Sequence, residues 1–419
     1  MGYTRRGGGF SRGRRGKEVN ALSWKVTGPM QERERFIQAY LTRRYTVTEL
    51  AEAFGVSRKT AHKALRRYAH DGPAGLADRP HAAHSHPNAT PAAVAAAIIR
   101  EKQAHPTWGP LKLLPKAADP PEVVAAWPAP STRGAILARA GLTQRRRSRK
   151  HVPPSSQPFS ACDRPNAVWC ADFKGWFRTE DGQRCDPLTV SDAYSRMLLC
   201  CRALRRPDYA HVRPALEAVF REYGLPDAIR TDNGPPFASV AVGGLSRLAV
   251  WWVKLGIQPE RIDPGHPEQN GRHERMHLTL KQECCRPAAA TPAAQQLRFD
   301  AFGHTFNFER PHQAIGLRPP SALYLPSPRT YPAVLEDPCY PTDAVIRRVR
   351  SNGEIRWKGN LVFLSEALIG EAVGISETLV GYDVHFGTIT LGRLDPTGER
   401  IIRHGAGFTN GRSVTHPLG

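Results

Sequence analysis

Between residues 160 and 330 the apolar pattern first suggests several strands and then alternates helix with strand, which restricts the fold to a layered α/β domain with a mixed sheet. Positions 168–177 read as a buried strand, and 188–190 and 197–204 as two more. Residues 209–223 place Val212, Leu216, Val219 and Phe220 on one helical face. A short strand at 228–229 leads to Asp232, and a helix around 245–255, a strand around 257–262 and a helix over 270–284 follow. Three acidic residues fall at distinctive points in this pattern. Asp172 lies in the first strand, Asp232 at the C-terminal end of a later one, and Glu274 on the last helix, 60 and 42 residues apart.

Acidic residues alone carry little information, because the chain has 38 of them. Their surroundings are more telling. Asp172 sits in Trp169-Cys170-Ala171-Asp172-Phe173-Lys174-Gly175, and Asp232 in Arg230-Thr231-Asp232-Asn233-Gly234-Pro235-Pro236-Phe237. Glu274 lies in His266-Pro267-Glu268-Gln269-Asn270-Gly271-Arg272-His273-Glu274-Arg275-Met276-His277, with Lys281 soon after. Carboxylates gathered from distant segments can hold two hard divalent cations, which stabilise the attacking and leaving oxygens of an in-line phosphoryl displacement. Glu268 is the second choice for the third acid. His277 and Lys281 stand at i+3 and i+7 from Glu274, close to the same helix face, where Lys281 could hold a phosphate. Lys174 is two residues beyond Asp172 on the same side of its strand and could also reach DNA. For either lysine the competing reading is a solvated surface.

The charge balance points to a polyanionic partner: 59 Lys and Arg against 38 Asp and Glu give a formal net charge of +21 over 419 residues. No apolar run approaches the roughly 18–20 residues of a membrane helix, and the Gly/Arg-rich start lacks the apolar core of a signal peptide. The eight cysteines contain no C-x-x-C, so a zinc ribbon is not expected. A reduced, cytoplasmic, nucleoid-associated protein without a membrane partner is the expectation.

Residues 1–27 read as a basic disordered arm. Residues 28–80 read as a helix-turn-helix domain: Phe36, Ile37, Tyr40 and Leu41 mark a first helix, and Thr46 or Thr48 caps a second. Gly55-Val56-Ser57 then turns into a third helix, which leaves Arg58, Lys59, Thr60, His62 and Lys63 free to enter a major groove. Residues 90–150 read as a second helical DNA-binding unit with helices after Thr90-Pro91 and from Ser131-Thr132. Pro115 and Pro120-Pro121 interrupt its middle. A basic linker bearing Arg145, Arg146 and Arg147 follows as a further candidate DNA contact. Residues 342–419 alternate with period two, including Ile355-Arg356-Trp357-Lys358 and Tyr382, Val384 and Phe386, and predict a small β-barrel. Arg356 and Lys358 are expected to share one of its faces.

Taken together, these phrases resemble the integrase-core transposases of bacterial insertion sequences, relatives of retroviral integrases. The resemblance extends to Trp108-Gly109, Trp251-Trp252, Asn307-Phe308-Glu309-Arg310-Pro311-His312-Gln313-Ala314 and Pro319-Pro320-Ser321-Ala322. It implies an RNase H-like core over 160–330, with Asp172, Asp232 and Glu274 as both the catalytic set and the metal ligands. It also implies two Mg²⁺ ions per site, with Mn²⁺ as a substitute. The implied activity is binding of the element's terminal inverted repeats, then cleavage and strand transfer of double-stranded DNA. Because two DNA ends must be paired, the expected assembly is a homo-oligomer, at least a dimer.

Other readings remain open from the sequence. A domesticated or inactive DNA-binding regulator would keep the fold without turnover, and a hydrolytic nuclease would nick without joining. His273-Glu274-Arg275-Met276-His277 also satisfies the H-E-x-x-H pattern of zinc proteases. Its metzincin extension fails, since Leu280 and Glu283 stand where Gly and His are required.

Overall fold

The computed structural model describes residues 28–78, 88–143, 160–239, 242–262 and 271–402. The basic arm, Arg145, Arg146, Arg147 and Glu268 lie outside the described residues. The chain divides into two compact units between Ala89 and Thr90.

The first unit contains α1 (Pro29–Leu41), α2 (Val47–Ala53) and α3 (Arg58–Asp71). Thr46 caps α2: its hydroxyl accepts the Glu49 N–H at 3.3 Å, while the Glu49 carboxylate accepts the Thr46 N–H at 2.8 Å. Gly55 adopts a φ of 63° at the turn, and Ser57 accepts the Thr60 N–H at 3.1 Å to start α3. Phe36, Ile37, Leu50, Ala51, Ala61 and Leu76 form the core. The expected apolar stripe of α1 is only half used, because burial ends at Ile37 and leaves Tyr40 and Leu41 exposed in the last turn.

In the second unit, α4 (Ala92–Ala104), α5 (Pro121–Ala125) and α6 (Pro130–Arg139) pack around Ile98, Trp108, Leu113 and Leu137. Pro120-Pro121 does not break a helix here. Pro121 occupies the first position of α5, where its missing N–H costs nothing and its fixed φ suits a helix start. This helical part docks on the α/β core: Arg310 is buried, pairs with Glu283 at 2.9 Å and lies over Trp108, and the Thr107 hydroxyl also bonds Glu283.

The core sheet comprises β1 (Val168–Phe173), β2 (Phe177–Arg178), β3 (Arg184–Asp192), β4 (Leu198–Leu204), β5 (Ala228–Thr231) and β6 (Gln258–Arg261). β3 pairs antiparallel with β1, β2 and β4, whereas β1–β5 and β5–β6 are parallel. The strand expected over 168–177 is interrupted by a turn at Gly175, whose φ is 85°. One face of the sheet is covered by α7 (Tyr209–Tyr223) and α8 (Arg247–Lys254), with Trp169, Phe220, Trp251 and Trp252 among the packed side chains. The other face is covered by α9 (Gly271–Cys284) and α10 (Pro292–His304), through Met276, Leu280, Phe299, Phe302 and Phe306. The result is the expected α/β layering around a mixed sheet.

Among the described residues, the C-terminal part does not close into a barrel. β7 (Val345–Arg348), β10 (Ala372–Thr378), β11 (Gly381–Phe386), β12 (Ile389–Leu394) and β13 (Ile401–Ile402) form an open five-stranded sheet with β7 and β13 at its edges. β8 (Glu354–Trp357) and β9 (Asn360–Phe363) make a separate hairpin. Its two-residue turn takes Lys358 and Gly359 to φ values of 46° and 92°, as such hairpins require. Lys358 therefore leaves the strand and does not share a face with Arg356; its ammonium sits 4.3 Å from the Tyr382 ring centroid instead.

Candidate catalytic and metal site

The sheet's register brings two of the three acids together. In the parallel β1–β5 ladder Cys170 is opposite Arg230, so Asp172 and Asp232, each two residues further on, occupy equivalent levels of neighbouring strands. Strands lie about 4.8 Å apart, so 60 residues of sequence separation become adjacency. Period-two alternation also fixes the direction of Asp172. Trp169 and Ala171 enter the core beneath α7 and α8, which turns Asp172 toward α9 on the opposite face. Asp232 follows the last residue of β5, and its carboxylate accepts the Gly234 N–H at 3.2 Å. A Cβ at Gly234 would stand 3.1 Å from that carboxylate, so glycine keeps this side of Asp232 open.

Glu274 lies in the first turn of α9 and is exposed. The three acids share one electrostatic environment. The Asp172 carboxyl is pushed from its ordinary 3.8 up to about 7, first by burial and then by the charge of Asp232, with Glu274 adding to the rise. The Phe173 N–H and the Lys174 charge oppose it.

Beneath these acids lies a polar cluster centred on Thr189, which is fully buried. Its hydroxyl donates to the Asp172 carbonyl at 3.0 Å. It lies 2.7 Å from Nε2 of both His273 and His277, and having donated its one proton, it accepts from both rings. Each imidazole is then an Nε2–H tautomer. His273 Nδ1 accepts from the Ser191 hydroxyl at 2.9 Å, while His277 Nδ1 faces the Asp172 carboxylate at 3.8 Å. Burial drives both histidines down, to about 3 for His273 and about 2 for His277, so both are neutral.

His277 therefore does not reach outward to DNA as its helix position suggested: it is buried and bonded to Thr189. The ligand atoms of Asp172, His273 and His277 do lie within 4.8 Å of one another. The zinc-protease pattern would need the imidazole nitrogens as metal ligands, however, and most of them are already engaged by Thr189 and Ser191. Sequence reasoning missed Thr189, Ser191 and the inward role of His273. The visible signal was the polar alternation Thr189–Ser191 within an otherwise apolar strand.

Lys174 extends the β1 ladder by donating to the Pro187 carbonyl at 3.0 Å, close enough for its charge to act on Asp172 and His277. Lys281 is half-buried on α9, and its charge, with those of Lys174 and Arg286, acts on Cys285. In the first unit Arg58, Lys59, Thr60, His62 and Lys63 are all exposed on α3.

Comparison with known proteins agrees with this architecture. Residues 163–267 and 255–320 match two family models, each described as Integrase core domain, and residues 32–84 match a Helix-turn-helix domain. Residues 163–320 thus match the integrase core domain, and similar curated proteins include those of bacterial insertion elements. The IS407 uncharacterized 31.7 kDa protein of Burkholderia multivorans is 30% identical over 188 residues, covering 44% of this chain and 65% of that protein. The IS476 uncharacterized 39.2 kDa protein of Xanthomonas euvesicatoria is 30% identical over 179 residues, covering 42% of this chain and 50% of that one. The chain thus spans less than two thirds of either relative. Among solved structures, the HTLV-2 integrase catalytic core domain in complex with magnesium is 16% identical at a TM-score of 0.32, covering 39% of this chain and 99% of that one. Among the described residues, no helix is long and apolar enough to cross a membrane.

Proposed function

We propose that this protein is a transposase that binds the terminal inverted repeats of its insertion sequence and catalyses metal-dependent cleavage and strand transfer of DNA. The observation that carries the reading is the convergence of the Asp172, Asp232 and Glu274 charges: burial first, and then the repulsion of Asp232 and Glu274, raises Asp172 to about 7. Hard oxygen donors crowded in this way fit a divalent cation, which relieves the repulsion. Asp172, Asp232 and Glu274 would hold a pair of Mg²⁺ ions, or Mn²⁺ in their place, which would supply Lewis-acid activation of the attacking oxygen and charge neutralisation at the leaving one.

The chain's own residues do the rest. Asp172, half-buried between Asp232 and the Thr189 cluster, is held in orientation by its strand and by the hydroxyl on its carbonyl. Lys174 and Lys281 offer cations to the phosphates on either side of the acids. In cleavage a water oxygen bonds to phosphorus as the bond to the 3′ oxygen breaks. In joining, the freed 3′-hydroxyl oxygen bonds to a target phosphorus in the same site as that phosphodiester's bond to its own 3′ oxygen breaks, and the released 3′ oxygen takes up a proton. The exposed polar face of α3, from Arg58 to Lys63, reads the end sequence, and two chains or more pair the two DNA ends.

The test is incubation of the full chain with its element's end DNA and Mg²⁺, mapping both the nick and any joined strand. Joined product supports the transposase. A nick without joining indicates a hydrolytic nuclease, and specific binding without either indicates a regulator. Asp172→Asn, Asp232→Asn and Glu274→Gln should each abolish turnover and leave DNA binding largely intact; wild-type turnover in any of them overturns the assignment.

A further inference from the structure

Trp176 stands in the turn between β1 and β2, four residues after Asp172, and 56% of it is exposed. Its neighbour Phe177 packs inward against the layer formed by α9 and α10, so the chain's alternation turns the indole outward. Two guanidinium groups flank the ring, Arg184 at 5.2 Å and Arg178 at 5.9 Å from its centroid. Neither depends on the indole for its position. Arg184 is held by Asp186 through two bonds of 2.6 and 3.0 Å, and Arg178 donates to the Gly182 carbonyl at 2.6 Å. The nearby acid Asp181 is already engaged by Thr179 and Gln183. Phe177 packs in the same cluster as Cys285, the thiol on which the charges of Lys174, Lys281 and Arg286 act. An exposed indole framed by fixed cations and bordered by a basic rim is the combination that binds single-stranded nucleic acid: the ring stacks a base and the cations track the backbone.

We propose that Trp176 is a stacking platform for an unpaired nucleobase of the DNA strand entering the carboxylate site, with Arg178 and Arg184 on the adjoining phosphates. This rests on the DNA-processing reading above. Four residues of chain span at most about 14 Å, so the stacked base lies within about four nucleotides of the reacting phosphate at 3.4 Å per stacked nucleotide. The platform favours a frayed or melted end over a fully paired one. It is tolerant of base identity, because every base presents a π-face.

The test uses the full chain without divalent metal, so that it needs binding and no turnover. Duplex ends with three unpaired terminal nucleotides, one of them 5-iododeoxyuridine, are irradiated and the cross-linked peptide is identified by mass spectrometry. The cross-link should fall on Trp176. Trp176→Ala should reduce the preference for frayed over paired ends by about tenfold, and Trp176→Phe should keep most of it. A cross-link only to other residues, or a Trp176→Ala protein with the wild-type preference, overturns the platform even if cleavage is intact. A cross-link at Trp176 in a protein that never cleaves DNA leaves the platform standing while the transposase reading falls.

Discussion

Replacing Asp172 by Asn should stabilise the metal-free protein at alkaline pH while destroying its response to metal. The fold raises this carboxyl from 3.8 to about 7 by burial and by the Asp232 and Glu274 charges. A group whose folded pKa is raised contributes stability fully below the unfolded value, and that contribution is lost as pH rises through the folded value. The metal-free protein should therefore weaken between about pH 4 and pH 7 and remain weak above. At about 1.4 kcal/mol per pH unit the rise corresponds to about 4 kcal/mol, the upper bound on what ionising Asp172 costs. Its side chain is 18% exposed, so some screening applies and about half that value is a reasonable expectation. The assay is urea denaturation in EDTA at pH 5.5 and 8, repeated with Mg²⁺. Wild type should lose stability on going to pH 8 and regain it with Mg²⁺. Asp172→Asn should show a smaller loss, exceed wild type at pH 8 in EDTA, and gain little from Mg²⁺. Parallel pH profiles for the two proteins would refute the account of an Asp172 carboxyl raised by burial and neighbouring charge, whatever the cleavage assays show.

Three other outcomes follow from the geometry. Thr189→Val keeps the shape but strands two imidazole N–H donors in a buried site, and should cost about 3 kcal/mol by chemical denaturation; a loss under about 1 kcal/mol would mean that the cluster rearranges around water. Lys281→Ala should leave metal-dependent stabilisation unchanged but weaken joining of pre-nicked ends increasingly with salt, and Lys281→Arg should retain most activity, since Lys281 lies two turns, about 10.5 Å, along α9 from Glu274. A salt profile identical to wild type would make Lys281 a solvated residue. In the first unit, Arg58→Ala or Lys59→Ala should cost about 1–3 kcal/mol on terminal-repeat DNA if the residue reads a base edge, measured by competition against scrambled DNA; an equal loss on both DNAs would reduce it to a phosphate contact.

The sequence by itself determined the elements that local chemistry controls. The Thr46 and Ser57 caps, the left-handed turn at Gly55 and the apolar face of α7 are decided within a few residues of chain, so they could be read without a fold. Asp172, Asp232 and Glu274 were singled out by their immediate neighbours for the same reason. The tertiary structure alone decided how distant segments meet. The parallel register of β1 and β5 turned two distant aspartates into neighbours, and the crossing of α9 over β3 drew His273 and His277 onto Thr189. That is why His277, apparently free on a helix face, is a buried neutral group beside Asp172, and why Trp176 is exposed while Phe177 is not. Strand closure is equally non-local. Period two foretold β-structure in the C-terminal part, but whether its sheet closed depended on pairing between edges, and β7 and β13 do not pair. Propensity and capping act over one turn of chain, whereas burial, register and charge convergence depend on contacts that no local pattern encodes.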